Sequence, residues 1–131
     1  INSLIKKKKD IYRNYKKLIG KSKDFILNES EKHTQTTNWI SYLNFSNKFK
    51  FKKEKLIKEV QKYKIDLRPI FYPLSSMPTF QKYVNKKKIE KENYYSYKLS
   101  KMGVCLPSGN DLTYQDQAYV IKVLKKAISN L

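Results

Sequence analysis

The apolar positions of the first twenty residues fall on one side of a helix. Leu4, Ile5, Ile11, Tyr12, Tyr15, Leu18 and Ile19 recur at helical spacing, while Lys6, Lys9, Arg13 and Lys17 take the opposite side. This pattern predicts a long amphipathic helix, with Asn2 or Ser3 as its N-cap and Gly20 as a left-handed C-cap. A polar stretch follows, in which Phe25-Ile26-Leu27 reads as a short edge strand and Glu29 to Thr37, holding His33, as a loop. Trp39 to Phe45 reads as a central strand, with Trp39, Leu43 and Phe45 on one face and Ile40 and Tyr42 on the other. Phe49 and Phe51 alternate with lysines and either extend that strand or begin the next turn.

Lys53 to Lys64 predicts a second amphipathic helix, with Leu56, Ile57, Val60 and Tyr63 inward, and Ile65 to Tyr72 an extended stretch. Three of the four prolines, Pro69, Pro73 and Pro78, then punctuate ten residues that contain no glycine and many apolar side chains. Proline fixes its own backbone and restricts the residue before it, so this is a rigid, shaped segment and not a linker. Pro78 is suited to the first turn of a short helix through Phe80 and Tyr83. Lys86 to Glu92 reads as a charged connector. Tyr94, Tyr95, Leu99 and Met102 suggest a helix closed by Gly103. Val104-Cys105-Leu106 is a buried strand stopped by Pro107, and Ser108 to Asp111 form a turn. Thr113 and Asp116 form the two ends of a capping box that opens a final helix, with Ala118, Ile121, Leu124, Lys125 and Ile128 as its inner stripe and Val120 beside it. Helices and short strands in this order predict an α+β layer fold, a small mixed or antiparallel sheet packed with helices, in one domain over residues 1–131.

Charge changes this picture less than its size suggests. The formal net charge is +18, from 29 basic and 11 acidic residues. Arg13 and Arg68 are the two arginines, so the rest of the basic charge is lysine. Lysine is a point charge without the planar fork that reads phosphate and guanine bidentately. The lysines are scattered in separate clusters, with no accompanying aromatic RNA-binding motif or zinc-finger spacing. A solvated lysine-rich surface accounts for them. A basic module that binds nucleic acid or anionic surfaces is the competing class.

Catalytic chemistry is sparse. Cys105 and His33 are single residues of their kinds, which excludes an internal disulfide and a multi-histidine metal site. Cys105 lies between Val104 and Leu106 and reads as a small buried hydrophobe. Gly20, Gly103 and Gly109 are isolated, so there is no glycine-rich phosphate loop. No pair of acids has a spacing that argues for acid–base work. No apolar run is long enough for a membrane span, and none follows the basic start as in a signal peptide. The expectation is a cytoplasmic protein without membrane contact. The first residue, Ile1, is not methionine, so the chain is expected to be part of a longer protein.

Two segments carry a resemblance. Asp66-Leu67-Arg68-Pro69-Ile70-Phe71-Tyr72-Pro73-Leu74-Ser75-Ser76-Met77-Pro78-Thr79-Phe80 is one, and Leu99-Ser100-Lys101-Met102-Gly103-Val104-Cys105-Leu106-Pro107-Ser108-Gly109 followed by Leu112-Thr113 is the other. In this order, after a long basic helix, they resemble the C-terminal small domain of the pyridoxal-phosphate-dependent nucleotide-sugar aminotransferases, the DegT/DnrJ/StrS family of fold-type I. Ser75 stands where that family often has histidine, and Ser75-Ser76-Met77-Pro78 is most similar to perosamine-synthase-type enzymes, which aminate a GDP-linked keto sugar.

The resemblance implies a transaminase in the full-length protein, using pyridoxal phosphate to move an amino group from glutamate to a nucleotide-linked keto sugar for surface polysaccharides. It implies a homodimer, and a cofactor domain with its lysine, its pyridine-pairing aspartate and its stacking aromatic residue upstream of this chain. By that reading no catalytic, cofactor-binding or metal-binding residue lies among residues 1–131, and the chain is inactive alone. Arg68, Phe71, Tyr72, Ser75 and Ser76 are the expected wall over the sugar nucleotide.

Overall fold

The computed structural model describes residues 1–131. Helix α1 spans Asn2–Ile19 and turns its Ile11, Tyr15 and Ile19 inward. Neither Asn2 nor Ser3 caps it; Ile1 holds the N-cap position without a side-chain bond. Gly20 follows at φ 65°, a region open to glycine, and its N–H donates to the Lys16 carbonyl. Leu4 is half exposed, so the buried stripe begins about two turns later, at Ile11, than its spacing suggests.

Strands β1 (Phe25–Leu27), β2 (Tyr42–Phe45), β3 (Arg68–Pro69) and β4 (Gly103–Cys105) form one sheet in the order β1-β2-β4-β3. Every pairing is antiparallel. Register places Leu27 opposite Leu43, Leu43 opposite Val104 and Phe25 opposite Phe45. Because strand side chains alternate, these residues share one face. That face meets α1, helix α2 (Lys53–Gln61) and helix α6 (Tyr114–Ser129) in a single cluster of 18 buried apolar residues. Helix α6 packs against both α1 and α2.

One expectation about β2 changes, and one open alternative is decided. It starts at Tyr42, and Trp39 lies outside it, 62% exposed. Asn38 has φ 52° and breaks the extended run before Trp39 can join the sheet. Phe49 and Phe51 do not extend the strand. They fold back so that Phe25, Phe45, Phe49 and Phe51 form an aromatic group with centroids 5.4–6.3 Å apart. Pairs in this range are favourable beyond the area they bury.

Helix α6 opens as its sequence announces. Thr113 Oγ1 accepts from the Asp116 N–H at 3.1 Å, and Asp116 Oδ2 accepts from the Thr113 N–H at 2.9 Å. These bonds satisfy two donors that a helix start otherwise leaves open. Its buried stripe is shifted from the expected one: Gln117, Val123 and Ala127 join Val120, Ile121, Leu124 and Ile128, while Lys125 is exposed and Ala118 half-buried. Gln117 reaches the core because its polar atoms are occupied. Nε2 donates to the Ile11 carbonyl at 2.8 Å, and Oε1 accepts from Asn14 Nδ2 at 3.0 Å.

Between β3 and β4 lie a 3₁₀ turn (Leu74–Ser76) and helices α3 (Pro78–Gln81), α4 (Lys86–Glu92) and α5 (Tyr94–Met102). Pro78 occupies the first turn of α3, as expected. The charged stretch Lys86–Glu92 is a helix and not a connector, because the Asn85 side chain accepts from the Lys88 N–H at its start. In α5 the expected apolar stripe faces outward: Tyr94, Tyr95 and Leu99 are exposed, and the one buried residue is Ser100.

Candidate functional site

The sheet face opposite the core carries Asn44 and Gly103 side by side, with α5 packed on β2. A side chain at Gly103 would meet Ile70 Cδ1 at 2.2 Å and Asn44 Oδ1 at 2.5 Å, so the absence of a Cβ lets Ile70 lie on β4. Ile70 in turn starts the proline-rich segment, which leaves the sheet edge and crosses toward α5.

Under that segment lies a cavity of about 820 Å³. Tyr72, Pro73, Ser75 and Ser76 line one wall. Phe49 to Glu54, at the start of α2, line another, and Tyr97, Ser100, Lys101 and Met102 of α5 close the third. This volume lies in the range of small-molecule sites, and the lining combines aromatic faces with a few polar groups. Lys50, Lys52, Lys53, Lys86 and Lys101 line it together with Glu54 and Glu90, an excess of positive charge. None of these seven groups forms an ion pair with another.

The hydroxyls on the wall are held in fixed places. Ser75 Oγ and Tyr97 Oη share a hydrogen bond of 2.9 Å, which ties the 3₁₀ turn to α5. Ser76 Oγ donates to the Pro73 carbonyl at 2.7 Å, and the Ser76 N–H donates to the same carbonyl at 2.8 Å. Gln81 Nε2 donates to the Ser76 carbonyl at 3.2 Å, binding α3 to the same turn.

Lys53 is the one buried lysine, 4% exposed. Its Nζ donates to the Ser100 carbonyl at 2.5 Å and lies 4.5 Å from the centroid of the Tyr72 ring. Ser100 is in the last turn of α5, where carbonyls lack helical partners and the helix dipole presents its negative end. An ammonium is therefore stabilised there, although at the start of its own helix α2 it meets the positive end. A hydrogen bond from a charged donor contributes about 1.5–3 kcal/mol and a cation over an aromatic face about 0.5–2 kcal/mol, which offset part of the desolvation cost. Burial lowers the Lys53 pKa below its usual value, against the opposing effects of Glu54 and Cys105. Burial likewise raises the Cys105 thiol, with Lys53 opposing. Cys105 Sγ makes a contact of 3.6 Å to the Pro69 carbonyl and is a packed group, as its neighbours suggested.

Of the five residues expected from the sequence, Tyr72, Ser75 and Ser76 come together on the cavity wall. Arg68 and Phe71 do not line it. Arg68 pairs with Asp66 at 2.9 Å in solvent, and Phe71 is 64% exposed. Sequence reasoning missed Lys53, Tyr97 and Ser100. Lys53 carried no signal beyond a lysine among lysines, and Tyr97 and Ser100 sat off the apolar stripe by which α5 was read. His33 is exposed in its loop. No group of three or more His, Cys, Asp and Glu side chains is placed to hold a metal ion.

The sequence profile of the DegT/DnrJ/EryC1/StrS aminotransferase family matches residues 1–125. This chain belongs to that family. It is 24% identical to EpsN of Bacillus subtilis (strain 168), a candidate pyridoxal phosphate-dependent aminotransferase, over 95% of this chain and 31% of EpsN. Its fold is that of solved sugar aminotransferases. The PMP form of the candidate sugar aminotransferase Spr1654 from Streptococcus pneumoniae superposes with a TM-score of 0.82 at 16% identity, over 98% of this chain and 32% of Spr1654. DesI, solved in the presence of its TDP-sugar product, gives a TM-score of 0.79 at 10% identity, over 95% of this chain and 31% of DesI. The chain thus spans about a third of the length of each protein it matches.

A cofactor lysine must be free to meet a carbonyl carbon, and Lys53, the one buried lysine on the cavity wall, does not fit that role because Ser100 and Tyr72 engage its ammonium. No helix of this chain is long and apolar enough to cross a membrane.

Proposed function

We propose that this chain is the C-terminal small domain of a pyridoxal-phosphate-dependent aminotransferase that moves an amino group from glutamate to a nucleotide-linked keto sugar. The observation that carries the reading is the cavity beneath the proline-rich segment of a chain that belongs to the DegT/DnrJ/EryC1/StrS aminotransferase family. The cofactor and its lysine belong, in this reading, to the remaining two thirds of the protein, and the 131 residues alone are inactive. A homodimer in the cytoplasm, working in surface polysaccharide synthesis, accompanies it.

In this reading Tyr72, Ser75 and Ser76 form the wall that meets the sugar nucleotide. The lysines around the cavity give the positive potential that a diphosphate requires. Prolines at 69, 73 and 78 hold the wall in one shape, so little conformational entropy is lost on binding. Arg68 and Phe71 meet the nucleotide from outside the cavity. Arg68 exchanges Asp66 for phosphate, an inexpensive step because its present ion pair is exposed.

The test measures the two half-reactions separately in the full-length protein. Ser75→Ala weakens the keto-sugar half-reaction by about 0.5–1.5 kcal/mol, the value of one neutral hydrogen bond, and leaves the glutamate half-reaction unchanged. Arg68→Ala shows the same selectivity. An equal fall in both half-reactions, or a loss of stability without selectivity, makes the segment a structural clamp and refutes the assignment.

A further inference from the structure

Lys53 ties three parts of the molecule to one ammonium. Its backbone begins α2. Its Nζ bonds the Ser100 carbonyl at the end of α5, and the face of the Tyr72 ring lies 4.5 Å away. No carboxylate pairs with it, and it is 4% exposed. A charge held so deeply restricts its neighbours, because movement of Tyr72 or Ser100 away from it removes one of its two partners. Tyr72 itself is half exposed and belongs to a segment in which no residue from Arg68 to Leu99 is buried. Apolar burial therefore does not keep this segment against α5. The ties that do include the Ser75–Tyr97 hydrogen bond, the Ile70 side-chain contact and N–H bond at Gly103, the packing of the 3₁₀ turn on α4, and the Lys53 ammonium.

We propose that Lys53 is a positioning residue that holds Tyr72, and with it the proline-rich segment, against the end of α5, and so sets the height of the wall that meets the sugar nucleotide. Its role for the segment stands on the geometry alone, and only the last clause rests on the proposed function. A lysine among 27 in this chain thus differs from the rest by what surrounds its ammonium. Arginine keeps a cation at the same place, whereas methionine keeps the stem and removes the charge.

The experiment uses the full-length protein with Lys53→Met, Lys53→Arg and Tyr72→Leu. Hydrogen exchange is read at the Ser76 and Met77 amides, which donate to the Pro73 and Leu74 carbonyls in the 3₁₀ turn. Lys53→Met speeds their exchange by about tenfold or more, while amides of α1 and α6 keep their rates. Lys53→Arg restores protection. Tyr72→Leu loosens the same two amides, and this second variant keeps the proposal open to refutation if Lys53→Met fails to fold. In kinetics, Lys53→Met raises KM for the sugar nucleotide about tenfold and leaves the rate of the glutamate half-reaction in place. Unchanged exchange at Ser76 and Met77 in both Lys53→Met and Tyr72→Leu overturns the proposal, and so does exchange that rises equally throughout the molecule. If local loosening is seen but the unaltered protein does not turn over a sugar nucleotide, the functional reading fails and the tether stands.

Discussion

The two faces of the sheet are held together by different means. On one face, α1, α2 and α6 bury 18 apolar residues with the strands, and the buried Gln117 side chain among them is paired through both its polar atoms. On the other, the segment from Ile70 to Met102 forms a 3₁₀ turn and three helices, yet Ser100 is its only buried residue. Phe71, Leu74, Tyr83 and Tyr95 are exposed there. The first face is stabilised by area removed from water, at about 25 cal/mol per Å², and so resists change anywhere within it. The second depends on individual polar ties and on a backbone stiffened by proline. The candidate site lies in the second region. A wall that must meet a ligand keeps its side chains uncovered and takes its shape from the backbone.

The largest test of this contrast is a small polar side chain put in place of a large one in each region. Ile11 is 2% exposed, and Ile11→Asp destabilises by about 4 kcal/mol or more, so that the protein unfolds or becomes insoluble. Tyr95 is 76% exposed, and Tyr95→Ser changes stability by no more than about 0.5 kcal/mol. Thermal melting of both variants decides. A soluble, well-folded Ile11→Asp protein removes the basis for the comparison, and a large loss in Tyr95→Ser means that the second region has a core of its own.

Gly103 sharpens the comparison at the junction. Besides Ile70 and Asn44, an added Cβ there meets the Leu43 carbonyl at 3.1 Å, and the backbone cannot swing aside as a side-chain end can. Gly103→Ala is expected to cost about 1–3 kcal/mol, with Ile70 displaced first. Chemical-shift changes centred on Ile70 and Asn44, in a protein of lowered midpoint in urea, are the expected readout. Changes centred on α1 and α6 contradict it.

A smaller effect belongs to the well-packed region. Removing the capping hydroxyl in Thr113→Ala costs about 0.5–2 kcal/mol. The cap also has a pH dependence. Hydrogen bonds from the Thr113 hydroxyl and N–H hold the Asp116 carboxyl below its ordinary value of 3.8. A carboxyl lowered in the folded state contributes stability that is fully present above 3.8 and is lost as the pH falls through the lowered value. Melting temperatures of the unaltered protein and of Asp116→Asn therefore differ at neutral pH and converge in strong acid. A constant difference down to pH 2 removes the carboxylate from the cap.

The same division separates what was legible in the sequence from what was not. Helices α1, α2 and α6, the edge place of β1, the capping box and the rigidity of the proline-rich segment follow from local chemistry: spacing, caps and ring closure. These act over a few residues and need no distant partner. The family resemblance was legible for a similar reason, since it rests on ordered short motifs. Only the tertiary structure decided which faces are covered. Trp39 looked like core and is exposed because the turn at Asn38 carries it off the sheet. The stripe of Tyr94, Tyr95 and Leu99 has helical period, yet no element of this chain packs over it. Gln117 and Lys53, both polar, are buried because residues far away in sequence supply their partners. Periodicity tells which side chains share a face. Burial depends on what the rest of the chain brings to that face, and a polar side chain goes inside only where the fold places an acceptor or a ring within reach of it.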